Sequence, residues 1–118
     1  MNYLPFDVLE NTNQLATFLP DQLHGLVYSV GSINLKPFSR VSEADMLKDF
    51  QLNVVGAAMV IQQALKSLKA SGAASVVLIS SVAATTGMSF HTSIATAKAG
   101  LEGFAKALAA ELANQQIR

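Results

Sequence analysis

Two hydrophobic periods organise the chain. Short apolar runs suited to strands occur at Tyr3–Val8, Leu23–Val30 and Ser75–Ser80, and the segments after them carry apolar residues at helical spacing. Pro5 removes a backbone donor from the first run, which marks it as an edge strand. In the second, Leu26, Val27 and Val30 are apolar and Gly31 ends the run. In the third, Val76-Val77-Leu78-Ile79 is continuous, as a strand buried on both faces requires. Asn11 or Thr12 caps a short helix with Leu15, Phe18 and Leu19 on its apolar side, stopped by Pro20-Asp21. Ser42-Glu43-Ala44-Asp45 reads as a capping box opening a long helix to about Ala70, with Gly72 as its terminator. Met46, Phe50, Val54, Met59, Ile61, Leu65 and Leu68 mark the apolar side of that helix. A last helix, about Thr92 to Asn114, is rich in Ala and Gly, which permits close backbone approach. At Ile117-Arg118 another strand could begin.

Strand followed by helix, three times over, argues for parallel βαβ units. The expected fold class is α/β: a three-layer Rossmann-like fragment, residues 1–118 as one domain, with a parallel sheet of about three strands and three helices. Right-handed crossovers put the first two helices on one face of the sheet, and the third joins them most simply. The other face is then bare although the last strand is apolar on both sides. A soluble monomer does not tolerate that, so a second chain is expected to cover it.

Composition sharpens this picture. Eight acids balance eight bases in 118 residues, so no basic field draws nucleic acid or acidic lipid. Charged residues are only 14% of the chain, against about 25% in an ordinary domain. Too few charges to cover the surface again points to a homo-oligomer, through the long helices and the exposed sheet face. Without cysteine there is no disulfide and no thiolate chemistry, which suits the cytoplasm. The start Met1-Asn2-Tyr3-Leu4-Pro5 has neither the basic end nor the apolar run of a signal peptide. The uncharged stretch Ala70–Ala97 is broken by Ser, Thr and Gly and reads poorly as a membrane span.

The third strand delivers Ser80 and Ser81 into a loop, and the last helix carries Lys98 on its first turns. A hydroxyl and a lysine at the carboxyl end of a strand suit polarisation of an oxyanion and supply of a cation. His91, in the same loop, is a capable acid or base near neutrality. Ser80 or Ser81 with His91 would suit ester hydrolysis, yet no Gly-x-Ser-x-Gly elbow surrounds either serine and no acid is evidently placed to orient the histidine. A solvent-facing or capping His91 is the plainer reading. Two distant histidines without cysteine make no metal site.

Asp7-Val8, Tyr28-Ser29-Val30-Gly31, Asn53, Ile79-Ser80-Ser81 and the run Ala97-Lys98-Ala99-Gly100-Leu101-Glu102-Gly103-Phe104, in this order and spacing, resemble the short-chain dehydrogenase/reductase family. The resemblance covers nearly the whole chain and implies the central part of such an enzyme, from its third strand to the start of its sixth. It implies an NAD- or NADP-dependent carbonyl/alcohol oxidoreductase. On it, Asp7 and Val8 lie along the cofactor's adenine, Gly31 ends a strand beside the cofactor, and Asn53 opens its helix to hold a proton-relay water. Ser81 hydrogen-bonds the substrate carbonyl, and Lys98 binds the nicotinamide ribose. The family's tyrosine, four residues before that lysine, gives or takes the proton. Ile94 stands there, and an alkyl group has no proton to give. Nor does this sequence contain the Gly-rich turn that grips a dinucleotide's pyrophosphate; in the family it would precede Met1. Gly100-x-x-Gly103 lies inside a helix and reads as close packing. The expectation is therefore an inactive or impaired oxidoreductase with doubtful cofactor binding. The alternatives are a non-catalytic oligomerising domain and a small serine esterase.

Overall fold

The computed structural model describes residues 2–118. Helix α1 spans Gln14–Phe18, strand β1 Gly25–Tyr28, helix α2 Glu43–Phe50, helix α3 Gly56–Ala70, strand β2 Ser75–Leu78 and helix α4 Thr92–Leu112. The two strands pair in parallel, with Gly25 opposite Ser75, Leu26 opposite Val76, Val27 opposite Val77 and Tyr28 opposite Leu78. The α/β class and the parallel sheet are as the pattern predicts. The strand count is not: among the described residues the sheet has two strands.

Tyr3–Val8 forms no strand: residues 3–7 lie outside any helix or strand, and Val8 begins a turn. Leu4, Phe6 and Val8 are half-buried, so the alternation is real, and Val8 packs beside Tyr28, Val54 and Ala57. Alternation alone makes no strand without a ladder partner. The segment ends in a tight turn in which Asp7 Oδ1 accepts from the Leu9 amide at 2.8 Å. At the other end of the chain, a ladder does begin beside β2. Gln116 takes φ 57, and Ile117 forms a parallel bridge with Ala74. The Val76 amide donates to the Arg118 carbonyl at 2.6 Å.

Helix boundaries follow local chemistry. Ser42 Oγ accepts from the Asp45 amide at 3.1 Å and Asp45 Oδ2 accepts from the Ser42 amide at 2.9 Å, closing the capping box. Gly72, at φ 76, takes the left-handed conformation that ends α3 at little cost. α1 is shorter than its pattern suggests, but Leu15 is buried and Leu19 reaches the core.

The core lies on one side of the sheet. Leu26 and Val76 pack with Ala64, Leu68, Leu112 and Ile117. One pair further along, Tyr28 and Leu78 pack with Val54, Ala57, Leu101 and Phe104. On the opposite side Val27 is 65% exposed, Val77 47% and Ile79 47%. The described chain is therefore two layers rather than three, with the bare apolar face that the crossovers imply. No helix among the described residues is long and apolar enough to cross a membrane.

Candidate active site

Between α2 and α3 the helix opens into a π-turn, Gln51–Val55. Such an opening leaves backbone carbonyls in need of other donors. Tyr28 supplies one, its hydroxyl donating to the Leu52 carbonyl at 2.6 Å. The fit depends on Gly56, since a Cβ there would lie 2.5 Å from the Tyr28 hydroxyl. Burial pushes the Tyr28 phenol up to about 12, which keeps it a neutral donor.

Asn53 sits inside the π-turn, fully buried. Its Nδ2 donates to the Asp49 carbonyl at 2.8 Å, and its Oδ1 is buried without a partner. A buried polar atom without a partner costs about 1–3 kcal/mol, so the vacant acceptor marks a place where a ligand or water would be stabilised. The vacancy is shared. A methyl placed on Gly31 would stand 3.2 Å from Asn53 Oδ1 and 3.5 Å from Lys98 Nζ. Lys98 Nζ donates to the Ile79 carbonyl at 2.6 Å, the residue is 8% exposed, and burial lowers its pKa. Gly31, Asn53 and Lys98, from three distant parts of the sequence, thus meet at the carboxyl ends of the two strands.

The other candidates are placed as follows. Ser81 Oγ accepts from the Ala83 amide at 3.2 Å and keeps its own proton free to donate to an incoming carbonyl. Ser80 Oγ is engaged, donating to Glu102 Oε1 at 2.6 Å. His91 precedes the first turn of α4, with Nδ1 2.7 Å from the Ser89 carbonyl. It hydrogen-bonds neither serine. Asp7 is exposed and uses one carboxylate oxygen, Oδ1, in its own turn, while the half-buried Val8 lies beside Gly56. Ile94 is buried, 4% exposed. Among the described residues no three His, Asp or Glu side chains gather as a metal site.

Two polar clusters escaped the sequence reading. Asp49 is 2% exposed and Ser93 3%; Ser93 Oγ donates to Asp49 Oδ2 at 2.6 Å, and Ser32 Oγ to Asp49 Oδ1 at 3.2 Å. This carboxylate ties α2 to α4 one residue before Ile94 and to the loop just after Gly31. The second cluster holds the same loop: Asp45 accepts from Lys36 Nζ at 2.8 Å and from Asn34 Nδ2 at 2.9 Å. The Lys36 ammonium and the Ser42 donors hold the Asp45 carboxyl well below the usual carboxylate range. Asp45, Asp49 and Asn53 follow one another at four-residue spacing, a signal of a shared polar face.

Comparison with known proteins decides the family. The model described as enoyl-(acyl carrier protein) reductase matches residues 8–118, nearly the whole chain. The chain belongs to the short-chain dehydrogenase/reductase family. Among family members it is similar to the 3-oxoacyl-[acyl-carrier-protein] reductase FabG of Aquifex aeolicus (strain VF5), 32% identical over 117 residues, which are 99% of this chain and 47% of that protein. A 3-oxoacyl-[acyl-carrier-protein] reductase of Bos taurus is 34% identical over 79 residues, 67% of this chain and 33% of that one. The chain thus spans half or less of these relatives' length. A short-chain dehydrogenase from Streptomyces avermitilis superposes with a TM-score of 0.88 at 25% identity, covering 96% of this chain and 44% of that one. A 7α-hydroxysteroid dehydrogenase in complex with NADH and 7-oxo glycochenodeoxycholic acid superposes with a TM-score of 0.86 at 26% identity, covering 95% and 46%. That dehydrogenase therefore holds a nicotinamide cofactor.

Proposed function

We propose that this chain carries the substrate side of a short-chain NAD(P)-dependent carbonyl/alcohol oxidoreductase and is impaired in turnover when it acts alone. The observation that carries this reading is the meeting of Gly31, the unpartnered Asn53 Oδ1 and Lys98 Nζ at the strand ends. The vacant acceptor and the glycine opening suit a ribose or an ordered water, so these residues fit the nicotinamide half of the cofactor. Asp7 and Val8 would line its adenine end. A bound nicotinamide would supply the hydride. Ser81 orients the carbonyl through its free proton, Lys98 donates to ribose hydroxyls, and Asn53 holds the water that exchanges protons with bulk solvent. Ile94 cannot donate the final proton, and no Gly-rich turn in the sequence grips the pyrophosphate. The cytoplasm, where reduced nicotinamides are abundant, is the compartment that fits this role.

Titration calorimetry with NADH and NADPH to millimolar concentration tests the cofactor half. Weak binding that Lys98→Ala abolishes is expected, and no heat from the wild-type chain would overturn it. Absorbance at the reduced-nicotinamide band tests the chemistry. Ketone-dependent NADH oxidation by the wild-type chain would overturn the assignment of Ile94 as a lost proton donor.

A second reading, a non-catalytic oligomerising domain, is favoured by the exposed Val27, Val77 and Ile79. A homo-oligomer covering that face is the expected form, and light scattering showing a stable monomer at micromolar concentration would refute it. The esterase alternative, with Ser80 or Ser81 and His91, is addressed by para-nitrophenyl acetate: turnover surviving Ser80→Ala plus Ser81→Ala would eliminate it.

A further inference from the structure

We propose that Lys98 is an amine nucleophile that forms a reversible imine with a small aldehyde or ketone entering over Gly31. This rests on reading the meeting point of Gly31, Asn53 and Lys98 as part of a carbonyl site, but it needs no nicotinamide.

A nucleophilic lysine must be neutral, reachable and free of a carboxylate that would hold its proton. Lys98 makes no ion pair among the described residues; its one protein partner is the uncharged Ile79 carbonyl. Ile94, one helical turn earlier on α4, is buried and apolar. Burial lowers the Lys98 pKa, which raises the fraction of free amine at neutral pH. The bond to Ile79 uses one N–H and leaves the lone pair available. Access comes at Gly31, an exposed residue without a side chain, beside which both Lys98 Nζ and Asn53 Oδ1 lie. A carbonyl carbon at that point faces the amine, and its oxygen, once it has taken up a proton in the addition, can donate to an acceptor that has no other partner.

The step balances without an oxidant. The Nζ lone pair forms a bond to the carbonyl carbon as the π pair moves to oxygen, and one N–H proton passes to that oxygen. The resulting carbinolamine hydroxyl can donate to Asn53 Oδ1. Loss of that hydroxyl, with the remaining N–H proton, gives the imine and one water.

The test uses the full chain at pH 7 with acetaldehyde and sodium cyanoborohydride, without nicotinamide. Cyanoborohydride reduces each imine to a stable N-ethyl lysine, located by peptide mass mapping. Lys98 is expected to be modified faster than the exposed Lys48, Lys66, Lys69 and Lys106, as befits a desolvated amine. Gly31→Ala, whose methyl would stand 3.2 Å from Asn53 Oδ1 and 3.5 Å from Lys98 Nζ, should slow Lys98 and leave the others unchanged. Modification of Lys98 at or below the pace of the exposed lysines would overturn the proposal. So would rapid modification indifferent to Gly31→Ala, because the amine would then be reached by another route. Because no nicotinamide is present, failure here is distinct from failure of the cofactor titration.

Discussion

Gly56→Ala sets two physical effects against each other. Helix propensity alone favours alanine inside α3 by about 1 kcal/mol. The structure argues the opposite sign. The new Cβ would fall 2.5 Å from the Tyr28 hydroxyl, 3.3 Å from Val8 Cγ2 and 3.4 Å from the Gln51 carbonyl. Tyr28 is 3% exposed and cannot swing into solvent. Its ring must shift within the core, at about 1–3 kcal/mol for overpacking, and its bond to the Leu52 carbonyl is lost or bent, at about 1 kcal/mol. After subtracting the propensity gain, the net loss is about 1–3 kcal/mol. Urea unfolding followed by circular dichroism measures it as a fall in the transition midpoint at unchanged slope. The cause is isolated by a double-mutant cycle with Tyr28→Phe, which removes the oxygen that the methyl would strike. In that background Gly56→Ala should be nearly neutral or stabilising, a coupling above about 1 kcal/mol. A stabilising Gly56→Ala in the wild-type background, or equal effects in both, would refute the reasoning.

Other outcomes follow from the polar contacts. Ser93→Ala removes the short donor to buried Asp49 and should lower stability by about 2 kcal/mol in the same assay. The Tyr28 phenol, near 10 when unfolded and about 12 when folded, makes the native state bind more protons between those values. Stability should therefore be intact below pH 10 and fall as pH rises towards 12, less steeply in Tyr28→Phe. The Asp45 carboxyl is shifted the other way. Its contribution is present above the unfolded carboxylate pKa and is lost on acidification, and carbon NMR of Lys36→Ala should show its titration moving back towards the usual range.

Legibility in the sequence tracked locality. Ser42–Asp45 and Gly72 were readable because caps are built within a few residues. Tyr3–Val8 was misread for the converse reason. Its alternation correctly reported which side chains face inward, but a strand also needs a neighbour, and periodicity carries no information about neighbours. Asn53 drew attention as a polar residue in an apolar helix and, through the family resemblance, as the point where that helix opens. The observed π-turn lies there. What could not be read was its company: Gly31, Asn53 and Lys98 converge only because β1 and β2 lie side by side. Asp49 and Ser93 lie 44 residues apart, and nothing in either neighbourhood names the other. Only the four-residue spacing of Asp45, Asp49 and Asn53 hinted that this helix has a polar seam as well as an apolar one.

The π-turn also solves a problem of phase. The buried positions Asp49, Asn53, Ala57 and Ile61 succeed one another by fours, and in an unbroken α-helix each such step overshoots a full turn by about 40°. Left uncorrected, the seam would wind off the helix face before reaching the sheet. A π-turn winds more slowly, with more residues to each revolution, and so takes back part of that overshoot between Gln51 and Val55. One helix can then offer its polar positions to Ser93, Gly31 and Lys98 and its apolar positions to the sheet along a single line. The opening at Asn53 is thus a gear between two packing problems, and deleting one residue from it would put the polar cluster and the core out of step together.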